Sequence, residues 1–365
     1  MKKLFVLFCL TSILISCKKE KTTENNDDTG TSRAHSEWND FGLKGNVKST
    51  LEYTTEEKKD GGNTSSVRKF ENQFSPDIAL KFDNKGKLIN KISYKENGNV
   101  AEDIVYDGKD KMISKRNFTT ATEYVETKYT WEGDKNTIIA RRFNGSRLLD
   151  KEVFQYNNGR LVEHYKYDGN EKQANRTSFS YDDNNRVSEE SYFRNKPTMQ
   201  TRLSIEYDDN GNKTSEIYYD KNFKVISKTN SVYNSYNQML TSQTFTDNGS
   251  LDVELSRTYD DKKRLITKES FEVYDNSKNK EEFEYDQNDN TTVWKVYKNG
   301  KLVSETVYKY DFKNNLIYQI VTDGKGNEIY NKQIEYTYDD NNNWIGKKTT
   351  VNNIVFYTSR KIEYY

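Results

Sequence analysis

The sequence predicts an all-β protein: an elongated, twisted or curled antiparallel β-meander of repeated two-strand hairpins, with a period of about 25–26 residues. Three observations predict it. An aromatic anchor recurs at Phe82, Tyr106, Trp131, Tyr156, Tyr181, Tyr207, Tyr233, Tyr259, Tyr285, Tyr310 and Tyr338, with gaps of 24, 25, 25, 25, 26, 26, 26, 26, 25 and 28 residues. Each anchor leads into a short polar run, as in Ile205-Glu206-Tyr207-Asp208-Asp209-Asn210-Gly211-Asn212-Lys213, which is a strand entering a turn. Only two prolines occur, Pro76 and Pro197, which suits a continuous ladder because Pro cannot donate within it.

In chain order, Met1-Lys2-Lys3 is a basic start and Leu4 to Ile15 an apolar run too short to span a bilayer as a helix. Leu14-Ile15-Ser16-Cys17 resembles the lipobox of bacterial lipoproteins, which implies cleavage after residue 16 and acylation of Cys17. Two or more acyl chains hold a soluble domain on a membrane where one would not. Cys9 lies within the removed segment, so the mature chain is expected to fold without a disulfide. Residues 17–36 carry the acylated Cys and a flexible Lys/Glu/Thr/Asn tether, and the repeat domain is expected over 37–365. Trp38, Phe41, Leu43 and Val47 suggest an N-terminal cap over 37–79, with strands at Val47–Tyr53 and Val67–Phe74.

From Leu80 onward the repeat can be phased on the anchor. Two residues before it stands an apolar or aromatic side chain in most units (Leu80, Ile104, Phe154, Ile205, Phe283), and twelve after it another aromatic (Tyr94, Phe118, Phe193, Tyr219, Phe245, Phe271, Tyr297). These offsets are even, and strand side chains alternate with period two, so one aromatic face and one Lys/Glu/Thr/Ser face are expected. Ile362 and Tyr364 match the anchor phase again, and the charges Arg360, Lys361 and Glu363 would protect a free edge strand.

Composition narrows the function classes. Lys+Arg and Asp+Glu balance at 57 each, so no bulk field favours nucleic acid. The 33% hydrophobic content lies near the disordered class, but periodic aromatic rings allow a thin sheet to fold.

Tyr-Asp followed by a turn and a Leu or Val resembles the YD repeats of Rhs-type bacterial proteins. Tyr181-Asp182-Asp183-Asn184-Asn185-Arg186-Val187 and Tyr259-Asp260-Asp261-Lys262-Lys263-Arg264-Leu265 are the closest units, and the resemblance covers about residues 80–365. In Rhs proteins such repeats build a β-sheet shell around a toxin; this shorter chain lacks the toxin-like domain and the Asp-Pro core motif. It looks more similar to short repeat lipoproteins of the Bacteroidota, which implies an envelope location, on the outer membrane, and no defined activity. Lys18-Lys19-Glu20 partly resembles the export signal of surface lipoproteins in that group.

The chemistry-bearing residues support no enzyme. Asp-x-Asn-x-Asn at Asp208, Asp286 and Asp339 is half of a calcium loop, but the sixth residue is Lys213, Thr291 or Trp344 rather than Gly. Asp and Asn are expected in turns anyway, so no metal and no cofactor is assigned. His35 and His164 are the only histidines, too few for a zinc site or a His-based triad. Tyrosines outside the inward columns, Tyr165, Tyr192, Tyr218, Tyr274 and Tyr330, are candidate binding residues that could stack on sugar rings or anchor a protein. The favoured reading is a non-catalytic interaction or scaffold lipoprotein attached to the membrane by its lipid. The alternative is a glycan-binding lipoprotein; an enzyme or a toxin-associated shell fragment ranks lower.

Overall fold

Twenty-five antiparallel strands follow one another in chain order, from β1 (Val47–Asp60) to β25 (Ile354–Tyr364), preceded by a single 3-10 turn at Glu37–Phe41. This computed structural model describes residues 37–365 apart from 61–62, 73–74, 110, 133–135 and 196. Cys17, expected to be acylated, the expected tether and His35 lie outside the described residues.

The ladder does not end in free edges. β25 pairs antiparallel with β1 from Val47↔Tyr364 to Glu56↔Phe356, while the other side of β1 pairs with β3 (Ile78–Phe82) through Ser49–Leu51. β2 (Asn63–Arg68) pairs only with the far half of β1. Twenty-four strands therefore form one closed ring, with β2 as a flap on it. The expected elongated, twisted or curled meander is therefore corrected to a single closed barrel, and the resemblance to YD-repeat, Rhs-like proteins is not a guide to its architecture. The physical reason is that right-handed twist, summed over the strands, curls the sheet, and the pairing of β1 with β25 satisfies two rows of backbone donors and acceptors that edges would leave open. Arg360, Lys361 and Glu363 are consequently not edge guards but members of a paired strand. The strand expected over Val67–Phe74 ends at Arg68, and the chain then loops back to β3.

The anchor turns explain the repeated Tyr-Asp. After Tyr207 in β13 (Met199–Tyr207), the Asp208 carboxylate accepts the Asn212 N–H at 2.8 Å, and Gly211 N–H donates to Asp208 O at 3.1 Å. The Asp182, Asp260, Asp286, Asp311 and Asp339 carboxylates take the same backbone bonds. The backbone bonds hold the Asp182 and Asp260 carboxyls below the usual carboxylate range, and the Asn212 side-chain amide, with the backbone N–H groups, does the same for Asp208. Gly211 has φ +87°, and the equivalent Asn185, Asn237, Asn314 and Asn342 also have positive φ, which is why Asn or Gly recurs four residues after the anchor.

Anchor hydroxyls then tie strand to strand. Tyr181, Tyr207, Tyr259 and Tyr285 donate to the carbonyls of Leu161, Val187, Met239 and Leu265 at 2.7–2.9 Å. Tyr207→Phe removes one such bond and keeps the ring, so it should cost about 1 kcal/mol in urea unfolding, a loss typical of a single hydrogen bond.

The two aromatic columns do not share a face. Tyr219 pairs with Arg202, which lies three residues from Ile205 on β13 and so points the other way. Phe193 and Phe245 likewise pair with Arg176 and Lys228. The register shifts once at each anchor turn: Glu206↔Ser215 is followed by Tyr207↔Lys213, leaving Thr214 as an extra residue. That bulge reverses the parity on which the single aromatic face was expected.

The more buried face carries Leu80, Ile104, Ile205 and Phe356, and the loop after β2 folds across it to place Glu71 against Lys332 of β23 (Glu328–Tyr338). This is the inner face. The outer face pairs Glu282 with Lys295 and Lys295 with Glu305, alternating charges on neighbouring strands. Only eleven apolar residues are buried among the described ones, and five of them, Leu43, Val47, Leu80, Phe82 and Leu88, form one cluster under Trp38 and Phe41. A ring of twenty-four strands at about 4.8 Å spacing is roughly 35–50 Å across, wider than wall side chains fill.

Candidate functional site

Two regions of the inner wall depart from the repeat. The first lies at the seam. Arg360 of β25 donates two hydrogen bonds to the Glu52 carboxylate of β1, at 2.6 and 3.0 Å, and its guanidinium stacks 3.3 Å from the centre of the Trp344 ring. Next to it on the inner face lie Lys347 of β24 (Trp344–Val351), Tyr336, and Lys332, which pairs with Glu71. Burial pulls the Lys347 ammonium down and pushes the Tyr336 phenol up to about 12. Three cations and two carboxylates converge beside the seam between β1 and β25. Asp77 completes the seam: its carboxylate accepts the Thr54 N–H at 3.1 Å and Arg68 at 2.9 Å, in the gap between β2 and β3.

The second region spans β7 (Tyr124–Glu132), β8 (Thr137–Asn144), β9 (Arg147–Asn157) and β10 (Arg160–Asp168). Tyr129, Ala140 and Glu152 face one another across three strands, and Thr127, Arg142 and Asp150 form the adjacent row. Ala140 is too small to fill its place between Tyr129 and Glu152. A cavity of about 270 Å³ opens there, lined by Thr127, Tyr129, Ala140, Arg142, Asp150, Glu152 and Phe154. Arg142 forks onto Asp150 with two hydrogen bonds, one of them 3.1 Å. His164 lies beside the cavity, 2.8 Å from Glu152 and stacked on Phe154 at 4.2 Å between ring centres.

The tyrosines singled out in the sequence do not gather. Tyr192, Tyr218 and Tyr330 lie on the inner face of separate strands, Tyr165 lies on the outer face, and Tyr274 projects from a turn at 87% exposure. Sequence reasoning missed Arg142, Asp150, Glu152, Glu52, Lys347 and Arg360, because which charges face inward depends on bulges and on ring closure. One signal was present: His164 is the only histidine within the repeats.

Among the described residues no group of three or more His, Cys, Asp or Glu is placed to hold a metal ion. No helix among them is long and apolar enough to cross a membrane. No protein-family model matches the chain, and no curated protein matches it. Among solved structures it is similar to TcdB2-TccC3-Cdc42, at 14% identity over 76% of this chain and 19% of that one, with a TM-score of 0.27. It is similar to TcdB2-TccC3 without its hypervariable C-terminal region at 13% identity over 84% and 19%, TM-score 0.33. A porin-like protein from Bacteroides uniformis is similar at 8% identity over 87% and 96%, TM-score 0.25. The chain spans under a fifth of the first two. The closed barrel is established by its own strand pairings, a form compatible with the outer membrane in general.

Proposed function

We propose that this chain is a non-catalytic envelope lipoprotein, a wide β-barrel attached to the outer membrane through acylated Cys17, that presents its inner wall to a ligand or partner. The observation that carries the reading is the contrast within the ring. Turns and anchors repeat from unit to unit, whereas the inner wall gathers off-repeat charges at the seam and around Ala140. Repetition builds the container, and departures from it mark where selectivity resides.

The outer face supports attachment by lipid rather than by spanning. Lys280–Glu282 at 2.9 Å and Lys348–Glu335 at 3.2 Å belong to its charged rows, where a bilayer-spanning barrel needs an apolar band. The ring's strands run from 5 residues in β3 to 14 in β1, and the short ones fall below the roughly 9–11 residues a tilted strand needs to cross hydrocarbon. Cys17→Ser should abolish lipid labelling and move the protein from the membrane pellet to the soluble envelope fraction. Continued pelleting after a carbonate wash would overturn the lipid anchor and favour an embedded barrel.

A further inference from the structure

We infer that the cavity over Ala140 is a binding site for a neutral pyranose sugar, presented as a single ring or as the end of a short glycan. This rests on the reading of the inner wall as a ligand surface and gives that surface a ligand class.

The argument starts from the missing side chain. Neighbours of Ala140 along its row are Tyr129 and Glu152, and along β8 on the same face Ile138 and Arg142. All are long, so the methyl group leaves a dent surrounded by larger groups. Its volume of about 270 Å³ is at the small end for ligand pockets and suits one sugar ring rather than an extended peptide.

The lining matches the two surfaces of a pyranose. Axial C–H groups of a sugar ring pack on aromatic faces, and Tyr129 and Phe154 border the dent. Equatorial hydroxyls donate to carboxylates and accept from guanidinium, and Asp150, Glu152 and Arg142 supply both.

The charges also choose the ligand's sign. Arg142 is engaged by Asp150, and Glu152 faces His164 at 2.8 Å, so the only fixed cation in the lining already has its counter-charge. Glu152 also has the Lys166 ammonium at 3.3 Å, so each carboxylate beside the dent is already matched by a cation and an anionic sugar would find no unmatched counter-charge. Phe154 stacked on His164 holds that end of the cavity in one geometry before any ligand arrives.

The probe is a panel of neutral hexoses and their disaccharides, with glucuronic acid as the charged counterpart, titrated onto the full-length protein and followed by saturation-transfer NMR and calorimetry. The wild-type protein should bind at least one neutral sugar, and glucuronic acid at least tenfold more weakly. Ala140→Phe fills the dent and should weaken that binding by tenfold or more with an unchanged circular dichroism spectrum. Asp150→Asn keeps shape and volume; it should weaken binding severalfold, and it remains informative if Ala140→Phe fails to fold. No binding by any neutral sugar, stronger binding of glucuronic acid, or unaltered affinity in Asp150→Asn would each overturn the assignment. Cys17→Ser fractionation reads the anchoring separately, so a failure there leaves this result standing.

Discussion

Deleting residues 207–219 should abolish cooperative folding, whereas deleting residues 207–232 should leave a soluble protein with a single melting transition. The larger deletion removes 26 residues, a whole repeat, and joins Ile205-Glu206 to Tyr233-Asn234 in phase. Two strands leave together, so the ring falls from twenty-four strands to twenty-two and every pair, including β1 with β25, can stay antiparallel. The smaller deletion removes one turn and nearly all of β14 (Lys213–Asp220). An odd number of alternating strands cannot close an all-antiparallel ring: either β25 runs parallel to β1, or one strand leaves and two edges open. Open edges of this length pair with other chains. Circular dichroism melts with light scattering on both variants give the answer. Equal cooperativity and solubility in the two would mean that the closed antiparallel ring is wrong.

Arg360→Met should destabilise the protein by about 3–5 kcal/mol, a cost typical of breaking a buried ion pair by removing one partner. Arg360 and Glu52 are 11% and 12% exposed, the guanidinium holds the carboxylate with two hydrogen bonds, and the same pair closes the ring. Removing the arginine strands a carboxylate on the inner wall and withdraws the cation from the Trp344 face. The double variant Glu52→Leu/Arg360→Met removes both charges and should recover most of the loss, because an apolar pair there carries no uncompensated charge. Urea unfolding of the two single variants and the double variant measures the coupling. A double variant as unstable as Arg360→Met would show that the cost lies in lost packing rather than in the orphaned Glu52.

Much of the strand plan was legible because each turn is written locally. The Asp after the anchor and the Asn or Gly four residues on are each fixed by bonds or backbone angles within a few residues, so Tyr207-Asp208 and Gly211 could be read without a structure. Faces were less legible. The extra residue at Thr214 is an ordinary threonine in sequence, yet it sends Tyr219 to the outer wall. Closure was not legible at all. It depends on contacts such as Val47 with Tyr364, which lie at opposite ends of the chain, and on the twist summed over every strand between them. The cavity shared that fate, because Ala140 is informative only once Tyr129 and Glu152 are known to flank it.

The pairing of β1 with β25 also sets the order of folding. Hairpins such as β13–β14 can form as soon as their few dozen residues exist, because their contacts are close in sequence. The seam cannot. Asn343 bonds both Lys44 O and Lys44 N–H, and the Tyr365 hydroxyl reaches Phe82 O, so the final contacts need both ends of the chain at once. Until the last strand arrives, β1 and its growing neighbour are open edges exposed to other chains. Closing a loop of some three hundred residues costs entropy that only a nearly complete curl can reduce. The topology is thus that of a clasp expected to fasten last, with exposure to other chains greatest just before the C-terminal strand docks.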